Sequence, residues 1–357
     1  MNFQFLKNLD WKLNFAVLFL TTTGLLSLAS AKPELFWKQL LFFGIGLICV
    51  FLTVQFDWRP FINYKTVILG IYLFIIFLLF ITYFFAPTVR GVKGWLPIGP
   101  FQFQASEFAK IVLIVLFANF FKKRHISIAR VSNLLISFVY FAAPAFLVLI
   151  QPDLGSVLIL FSIWFGFLLV SGIKWRHLAI ALIIFSLAGI SMWFYGLHDY
   201  QKNRILGVFL PERDPLGANY NVIQAKIAIG SGGFFGKGFG QGTQTQLGFL
   251  PEAGTDFIFA AIVEEFGFLV GLLIIFAFLV LAFRIIDIGL AADNNFSRFI
   301  CLGAVIFWGV QFMLNIGSNL GLTPVIGVTF PFLSYGGSSL LTNLILIGMI
   351  QSIVARK

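Results

Sequence analysis

The stretch FIFAAIVEEFGFLVGLLIIFAFLVLAF, residues 257–283, decides the fold of this chain. At about 1.5 Å per residue it is long enough to cross the roughly 30 Å of hydrocarbon in a bilayer as one helix. Directly before it stands FLPEAGTD, residues 249–256, which carries Glu252 and Asp256. Carboxylates are costly at the mouth of a membrane helix, so they indicate a functional site that faces a cavity.

The composition of the whole chain agrees with a membrane protein. Hydrophobic residues make up 59% of its 357 residues, charged residues 11%, and the mean hydropathy is +0.97. A soluble domain holds about a quarter charged residues, so this chain cannot cover itself with a water-compatible surface. The two cysteines lie in apolar runs and the three histidines are scattered. We therefore expect neither a disulfide framework nor a histidine-built metal site.

Apolar runs predict a single all-α domain over residues 1–357, with about ten membrane-spanning helices. The predicted spans are 13–31, 35–54, 67–85, 106–121, 133–150, 155–171, 178–195, 257–283, 299–317 and 336–354. Between the seventh and eighth lies a long connection, residues 196–255, whereas every other loop is short. A loop of this length is usually functional or folded in its own right.

Basic residues predict the orientation. With the N-terminus inside, the cytoplasmic segments hold 14 of the 24 Lys and Arg but four of the 14 Asp and Glu, and the other side takes ten of each. This is the positive-inside pattern of a multi-pass plasma-membrane protein. Both termini are then cytoplasmic and the long connection is extracytoplasmic. We attribute the net positive charge to this topology and to contact with an anionic lipid leaflet. It does not indicate binding of nucleic acid.

The long connection contains a glycine-rich segment, residues 230–242, with Lys237 inside it. Glycines at this density allow successive N–H groups to cradle a phosphate. A nucleotide P-loop is excluded, because Ser231 occupies the first glycine position and Gly238 follows Lys237. The alternative to a phosphate-binding segment is a flexible loop at the membrane surface, with its phenylalanine side chains inserted into the lipid.

Several other polar groups lie near the same side. Glu107 and Lys110 are three residues apart, so they share a helix face and can form an ion pair, which is a structural alternative to a substrate role. Asp153 follows a helix-breaking proline. Ser334 and Ser338 open the tenth span. For Glu264 and Glu265, buried packing or hydrogen bonding is at least as good an interpretation as chemistry.

Two features of the eighth span carry alternative interpretations. Thr255 and Asp256 stand where side chains cap helices, since a carboxylate there complements the helix dipole. Gly267 and Gly271 form a G-x-x-x-G spacing that favours close approach of another helix. That helix is either the ninth span or a partner's single span.

Many motifs in one order resemble the SEDS family (shape, elongation, division and sporulation), and most closely its RodA branch. The matching segments run from Asp10 to the C-terminus and are GVKGW at 91–95, QASEFAK at 104–110, QPDLG at 151–155, Arg204-Ile, DPLG at 214–217, IAIGSGG at 227–233, GTQ at 242–244, FLPE at 249–252, TDF at 255–257 and PFLSYGGSS at 331–339. DPLG and GTQ are closer to RodA than to FtsW. Three positions depart from the usual pattern: Gly254 replaces histidine, Gly94 arginine and Ala105 proline.

The resemblance implies a peptidoglycan glycosyltransferase that polymerises lipid II on the outer face of the plasma membrane. It also implies a class B penicillin-binding protein as the partner that crosslinks the product. Asp256 matches the family's essential aspartate. Glu107, Lys110, Asp153 and Glu252 match polar positions that line the family's central cavity.

Residue chemistry fits such a reaction. A carboxylate near the attacking sugar hydroxyl can take its proton, and Asp256 is the candidate base. Binding a divalent cation, Mg²⁺ or Mn²⁺, is the other role open to it, and no organic cofactor is expected. Lys110 and Arg204 are candidates to stabilise the leaving pyrophosphate, with Lys237 and the glycine amides behind them. A single displacement would invert the donor linkage.

Two other classes of function remain open from the sequence. A lipid II transporter would also have about ten spans and buried acids. Against it, the polar residues concentrate on one side, whereas alternating access favours a midplane site between repeated halves. A non-catalytic scaffold for a wall-building partner would leave the acids unexplained.

Overall fold

The computed structural model describes residues 8–58, 60, 64–89, 91–99, 101–124, 131–210, 217 and 219–356. Six of the 24 basic residues that predict the orientation lie outside these ranges: Lys7, Arg59, Arg90, Arg130, Arg213 and Lys357. Most of the DPLG segment lies outside them as well.

Most of the described chain is helical. The elements in order are α1 Trp11–Ala31, α2 Pro33–Gln55, α3 Lys65–Phe85, β1 Trp95–Ile98, β2 Phe101–Gln104, α4 Ala105–Arg124, α5 Val131–Ile150, α6 Leu154–Val170, α7 Trp175–Ser191, α8 Asp199–Phe209, α9 Tyr220–Ser231, α10 Thr243–Gln246, α11 Ile258–Leu290, α12 Asn295–Leu320 and α13 Gly337–Ala355. A π-helical turn, Met192–Gly196, extends α7.

The prediction of about ten membrane helices is confirmed. Within the described residues, eight helices are long and apolar enough to cross a bilayer, and Leu154–Val170 is a shorter apolar helix. The tenth, α4, carries Glu107 and Lys110 in its first two turns and charged residues at its end, which lowers its hydropathy. Several helices are longer than the predicted spans because backbone hydrogen bonding continues past the apolar run; α11 ends at Leu290 and not at 283.

The long connection is folded. It contributes α8, α9 and α10, and α9 packs on both α11 and α12. A two-stranded antiparallel hairpin, β1 and β2, lies at the same end of the bundle directly before α4. We call this end, where α7 finishes and α11 begins, the loop end.

The centre of the bundle is built around α12, which packs on α4, α6 and α11. Small residues let the helices approach closely. A Cβ added to Gly303 of α12 would lie 2.5 Å from the Ile114 side chain of α4. Phe117, Phe121, Phe167 and Phe299 form an aromatic cluster below this contact. Such dense packing makes a rigid base for the groups at the loop end.

Candidate active site

Asp256 is held at the loop end by two asparagines of α12. Asn315 Nδ2 and Asn319 Nδ2 donate hydrogen bonds of 3.0 and 2.9 Å to its main-chain carbonyl. Asn319 Oδ1 also accepts a bond of 3.1 Å from the Ala260 N–H in the first turn of α11. The asparagines are almost wholly buried, whereas Asp256 is partly exposed. The main chain of Asp256 is therefore fixed, and the residue as a whole is only partly buried.

Asp256 does not cap α11 in the structure. The helix begins at Ile258 with Phe257 as its N-cap residue. The Phe257 side chain makes no capping hydrogen bond to the helix. The asparagine bond to Ala260 satisfies one of the free N–H groups of the first turn. The capping interpretation of Asp256 is wrong, because Asn319 supplies that interaction from another helix.

The loop that carries Asp256 is pinned from the opposite side by the segment before α13. Ser334 Oγ donates a 2.7 Å bond to the Thr255 carbonyl, and the Tyr335 N–H donates a 2.8 Å bond to the Gly254 carbonyl. Within the loop, Thr255 Oγ1 donates to Glu252 Oε2 at 2.9 Å. Burial raises the pKa of the Tyr335 phenol, so it stays protonated at neutral pH. These bonds fix Glu252 and Asp256 on one loop.

Ser338 and Asp153 meet at the β-hairpin. Ser338 Oγ accepts a 3.0 Å bond from the Gln104 N–H, and Gln104 Nε2 is 3.4 Å from Asp153 Oδ2. Asp153 Oδ1 accepts a bond from the Ser156 N–H and so caps α6. Both predicted serines thus hold neighbouring loops in place, and a contact of either with substrate stays a prediction.

Glu107 and Lys110 form the ion pair that their spacing predicted. Lys110 Nζ lies 2.6 Å from Glu107 Oε1, and both side chains are buried. The same ammonium lies 6.0 Å from the centre of the Phe307 ring on α12. Phe307 precedes Asn315 by eight residues, so the Lys110 ammonium lies about 12 Å deeper in the bundle than the Asp256 clamp. In this conformation Lys110 and Asp256 belong to two different levels of the site.

Lys237 pairs with Glu264. Its Nζ is 2.9 Å from Glu264 Oε1, and its side chain is one quarter exposed. Glu264 is fully buried and accepts further bonds from the N–H groups of Gln244 and Thr245 and from the hydroxyls of Thr243 and Thr245. The hydrogen-bonding interpretation of Glu264 is confirmed, and a substrate contact by Lys237 stays a prediction.

The glycine-rich segment is docked into a break in α11 at Gly267, whose φ is +87°. The N–H of Phe268 bonds the Gly233 carbonyl at 2.9 Å, and the N–H of Lys237 bonds the Glu264 carbonyl at 3.0 Å. A Cβ on Gly267 would collide with the main chain of 234–236. The glycine-rich segment therefore exchanges main-chain bonds with α11. Gly267 contacts this segment, and a Cβ on Gly271 would first meet Val263 of α11 itself, so the prediction that the pair packs on the ninth span is wrong. Contact with a partner's helix stays a prediction.

Arg204 lies apart from these groups, on α8. Its Nη1 donates a 3.2 Å bond to the Val325 carbonyl, beside a recess between α8, α9 and residues 321–325. Lys226 of α9 lines the same recess. Val325 packs against the cluster of Ala225, Ala253 and Phe257, which connects this recess to the Asp256 loop.

The described residues contain no group of three His, Cys, Asp or Glu side chains that could hold a metal ion by themselves. Magnesium, however, is commonly bound by one or two carboxylates together with substrate phosphates. Asp256 suits that arrangement, since its carboxylate is not used to cap α11.

Asn315 and Asn319 were missed by the sequence interpretation. Their signal was present: two amides four residues apart in an apolar span lie on one helix face, where buried polar groups need partners. The identity of those partners depends on the contact between α12 and the Asp256 loop, which the sequence does not show.

Comparison with known proteins places the chain among bacterial cell wall enzymes. The sequence profile of the family FtsW/RodA/SpoVE, described as cell cycle protein, matches residues 11–357. The peptidoglycan glycosyltransferase MrdB of Escherichia coli K12 is 39% identical over 311 residues, which cover 87% of this chain and 83% of MrdB. Stage V sporulation protein E of Bacillus subtilis is 36% identical, covering 88% and 86%.

Solved structures share the fold over nearly the whole length. A chain of a peptidoglycan synthase complex, solved to show how polymerization and crosslinking are coordinated, has a TM-score of 0.81 and 30% identity, with 98% of each chain covered. The rod shape determining protein RodA of Thermus thermophilus has a TM-score of 0.71 and 28% identity, covering 97% of this chain and 96% of RodA.

Proposed function

The chain belongs to the FtsW, RodA and SpoVE family of cell cycle proteins, and we infer from this membership that it is a peptidoglycan glycosyltransferase. Its relatives MrdB and FtsW carry that activity in their names. The observation in this molecule that supports the activity best is the clamp on Asp256. Two buried amides fix its main chain, and its carboxylate is not used to cap the helix that follows.

The substrate we propose is lipid II, a disaccharide whose anomeric carbon carries a lipid pyrophosphate. The acceptor is a sugar 4-hydroxyl, which loses its proton as it attacks that carbon. Asp256 takes this proton as a general base, a role that typically contributes about 10²–10⁴-fold in rate. The bond to pyrophosphate breaks in the same displacement, so the linkage inverts from α to β.

The leaving pyrophosphate needs positive charge as the bond breaks. Arg204 is the exposed candidate, on the recess beside the Asp256 loop. Lys237 is partly exposed and paired with Glu264, whereas Lys110 is buried and paired with Glu107. We propose that Arg204 meets the pyrophosphate first. Lys110 then acts from the deeper level of the cavity, together with Glu107.

A divalent cation is a second role for Asp256. Mg²⁺ or Mn²⁺ would be held by this carboxylate together with pyrophosphate oxygens, and it would neutralise the charge that develops on the leaving group. The clamp holds Asp256 through its main-chain carbonyl, whereas both proposed roles use its carboxylate.

We place the loop end of the bundle outside the plasma membrane and both termini in the cytoplasm, because the basic residues concentrate on the other side. The partner we propose is a class B penicillin-binding protein. The likeness to a chain of a peptidoglycan synthase complex supports this proposal. The likeness of several motifs to RodA supports a role in elongation and rod shape.

The experiment that tests the function is lipid II polymerisation by the purified protein in detergent. A polymerase makes glycan strands under these conditions, where there is no membrane to cross. A lipid II transporter, the alternative function, would bind the substrate and produce no polymer. Absence of polymer from well-folded protein, with its transpeptidase partner present, would contradict the assignment.

A further inference from the structure

Three buried polar atoms at the centre of the bundle have no hydrogen-bond partner among the described residues. They are Nε2 and Oε1 of Gln311, a fully buried residue of α12, and Oε2 of Glu107, which is 5% exposed. A buried polar group without a partner costs free energy, and the cost is greater for a carboxylate. Such groups in proteins commonly bind ordered water.

The register of α4 and α12 brings these atoms to the same level. Gly303 lies against Ile114, and Phe307 lies under the Lys110 ammonium. The two helices are thus antiparallel, with four residues forward on α12 matching four residues back on α4. One further step places Gln311 opposite the first turn of α4, where Glu107 stands.

The direction of the Gln311 side chain follows from its neighbours. Phe307 faces α4, and Trp308 faces α13, where its Nε1 donates a 2.8 Å bond to Asn343 Oδ1. At about 100° per residue, Gln311 lies roughly 40° beyond Phe307 on the way towards Trp308. Its amide therefore points into the space between α4, α12 and α13, on the side of Glu107.

We propose that Gln311 binds a water molecule that hydrogen-bonds Glu107 Oε2, and that it thereby positions the Glu107–Lys110 pair against α12. The amide Nε2 donates to the water oxygen, and the water donates to the carboxylate. Glu107 then has a partner on each oxygen, with Lys110 on Oε1 at 2.6 Å and the water on Oε2. Gln311 is a positioning residue, since it acts on Lys110 only through Glu107.

The consequence for turnover rests on the proposed function. If Lys110 assists departure of the pyrophosphate, the ammonium must stay at one place in the cavity, and a Glu107 carboxylate held on both oxygens provides this. The structural part of the inference does not depend on the reaction, so it can be tested on protein stability alone.

Gln311→Met tests the proposal, because the two interpretations predict opposite changes in the melting temperature. Methionine has nearly the same shape and no strong polar group, so it removes a buried cost if Gln311 binds nothing, and the melting temperature of the purified protein rises. If Gln311 holds a water molecule on Glu107, the variant loses that water and leaves Glu107 Oε2 without a hydrogen-bond partner. We then expect the melting temperature to fall by about 2–4 °C or more.

The same change is made in a Glu107→Met, Lys110→Met background, in which no buried charge needs the water. There we expect Gln311→Met to leave the melting temperature unchanged or to raise it. Trp308→Phe is the matched control, since it removes a satisfied buried bond one turn away and should lower the melting temperature equally in both backgrounds.

A rise with Gln311→Met in the wild-type background, or the same fall in both backgrounds, overturns the proposal. A map of the wild-type protein at a resolution that resolves ordered water provides a second measurement. We expect density within hydrogen-bond distance of Gln311 Nε2 and Glu107 Oε2, and a dry contact there would also overturn the proposal.

Discussion

Asn319 of α12 donates a 2.9 Å hydrogen bond to the main-chain carbonyl of Asp256. The same amide accepts a bond from the first turn of α11. One side chain therefore sets both the start of the helix and the place of the proposed catalytic carboxylate. The two bonds from α12 to Asp256 are made with its main chain, so they do not depend on its carboxylate.

Asp256→Asn should abolish most of the turnover without unfolding the protein. Asparagine is nearly isosteric and keeps the main-chain carbonyl that α12 binds, but it is not a base at neutral pH. We expect normal accumulation in the membrane and a fall in lipid II polymerisation by about two orders of magnitude or more. Near-wild-type glycan synthesis by the purified variant would disprove the mechanism and direct attention to Glu107 or Glu252.

Asn319→Asp and Asn319→Leu test the clamp. Aspartate keeps an acceptor for the Ala260 N–H but places a second acceptor against the Asp256 carbonyl, whereas leucine removes both bonds. Each removes one of the two amide donors to the Asp256 carbonyl, and leucine also leaves the buried Ala260 N–H without a partner, at a cost of about 1–3 kcal/mol. We expect kcat to fall about tenfold or more in both, with the lower melting temperature in the leucine variant. Unchanged kcat in both variants would show that the clamp does not matter for turnover.

Glu264→Gln should act on folding and not on the chemical step. The carboxylate accepts bonds from Gln244 and Thr245, which follow Gly242, and from Lys237, which precedes it, and an amide cannot accept on both of its ends. We expect a lower yield and melting temperature, with the specific activity of the folded fraction within about threefold of wild type. Asp256→Asn is the comparison that distinguishes a structural from a catalytic role of Glu264. If folded Glu264→Gln protein were as inactive as Asp256→Asn, Glu264 would have a catalytic role.

Gly236→Ala should prevent stable folding, and Gly240→Ala should not. Both glycines have positive φ, +84° and +72°, which costs an alanine about 1–2 kcal/mol. A Cβ on Gly236 would also strike the main-chain carbonyl of Glu265, whereas Gly240 faces open space. Size-exclusion chromatography in detergent should show monodisperse Gly240→Ala and mostly aggregated Gly236→Ala. Equal behaviour would argue against docking of the glycine-rich segment into α11.

The orientation is tested with single cysteines in a variant that lacks Cys49 and Cys301. Leu247, 67% exposed at the loop end, and Asp293, exposed in the turn between α11 and α12, lie at opposite ends of the bundle. In intact spheroplasts an impermeant thiol reagent should label the cysteine at 247 and leave the one at 293 unlabelled. The reverse result would move the active site to the cytoplasm.

The local sequence was enough to predict the membrane helices, because length and hydropathy define them, but it did not predict the β-hairpin or the helices of the long connection. The Glu107–Lys110 pair was predictable for a similar reason, since three residues on a helix fix the distance between two side chains. The capping interpretation of Asp256 was wrong because it considered only neighbours in the sequence, whereas the Ala260 N–H of the first turn bonds Asn319, 59 positions further along the chain.

The sequence by itself determined the class of the protein, about ten helices, and the acids among which the site had to lie. These follow from composition and from periodicities of a few residues. Only the tertiary structure decided which polar groups hold which parts of the fold together. It assigned Glu264 and Lys237 to the docking of the glycine-rich segment, and Asn315 and Asn319 to Asp256. The physical reason is that a buried polar group must find a partner, and in a helical bundle that partner usually lies on another helix, far away in the chain.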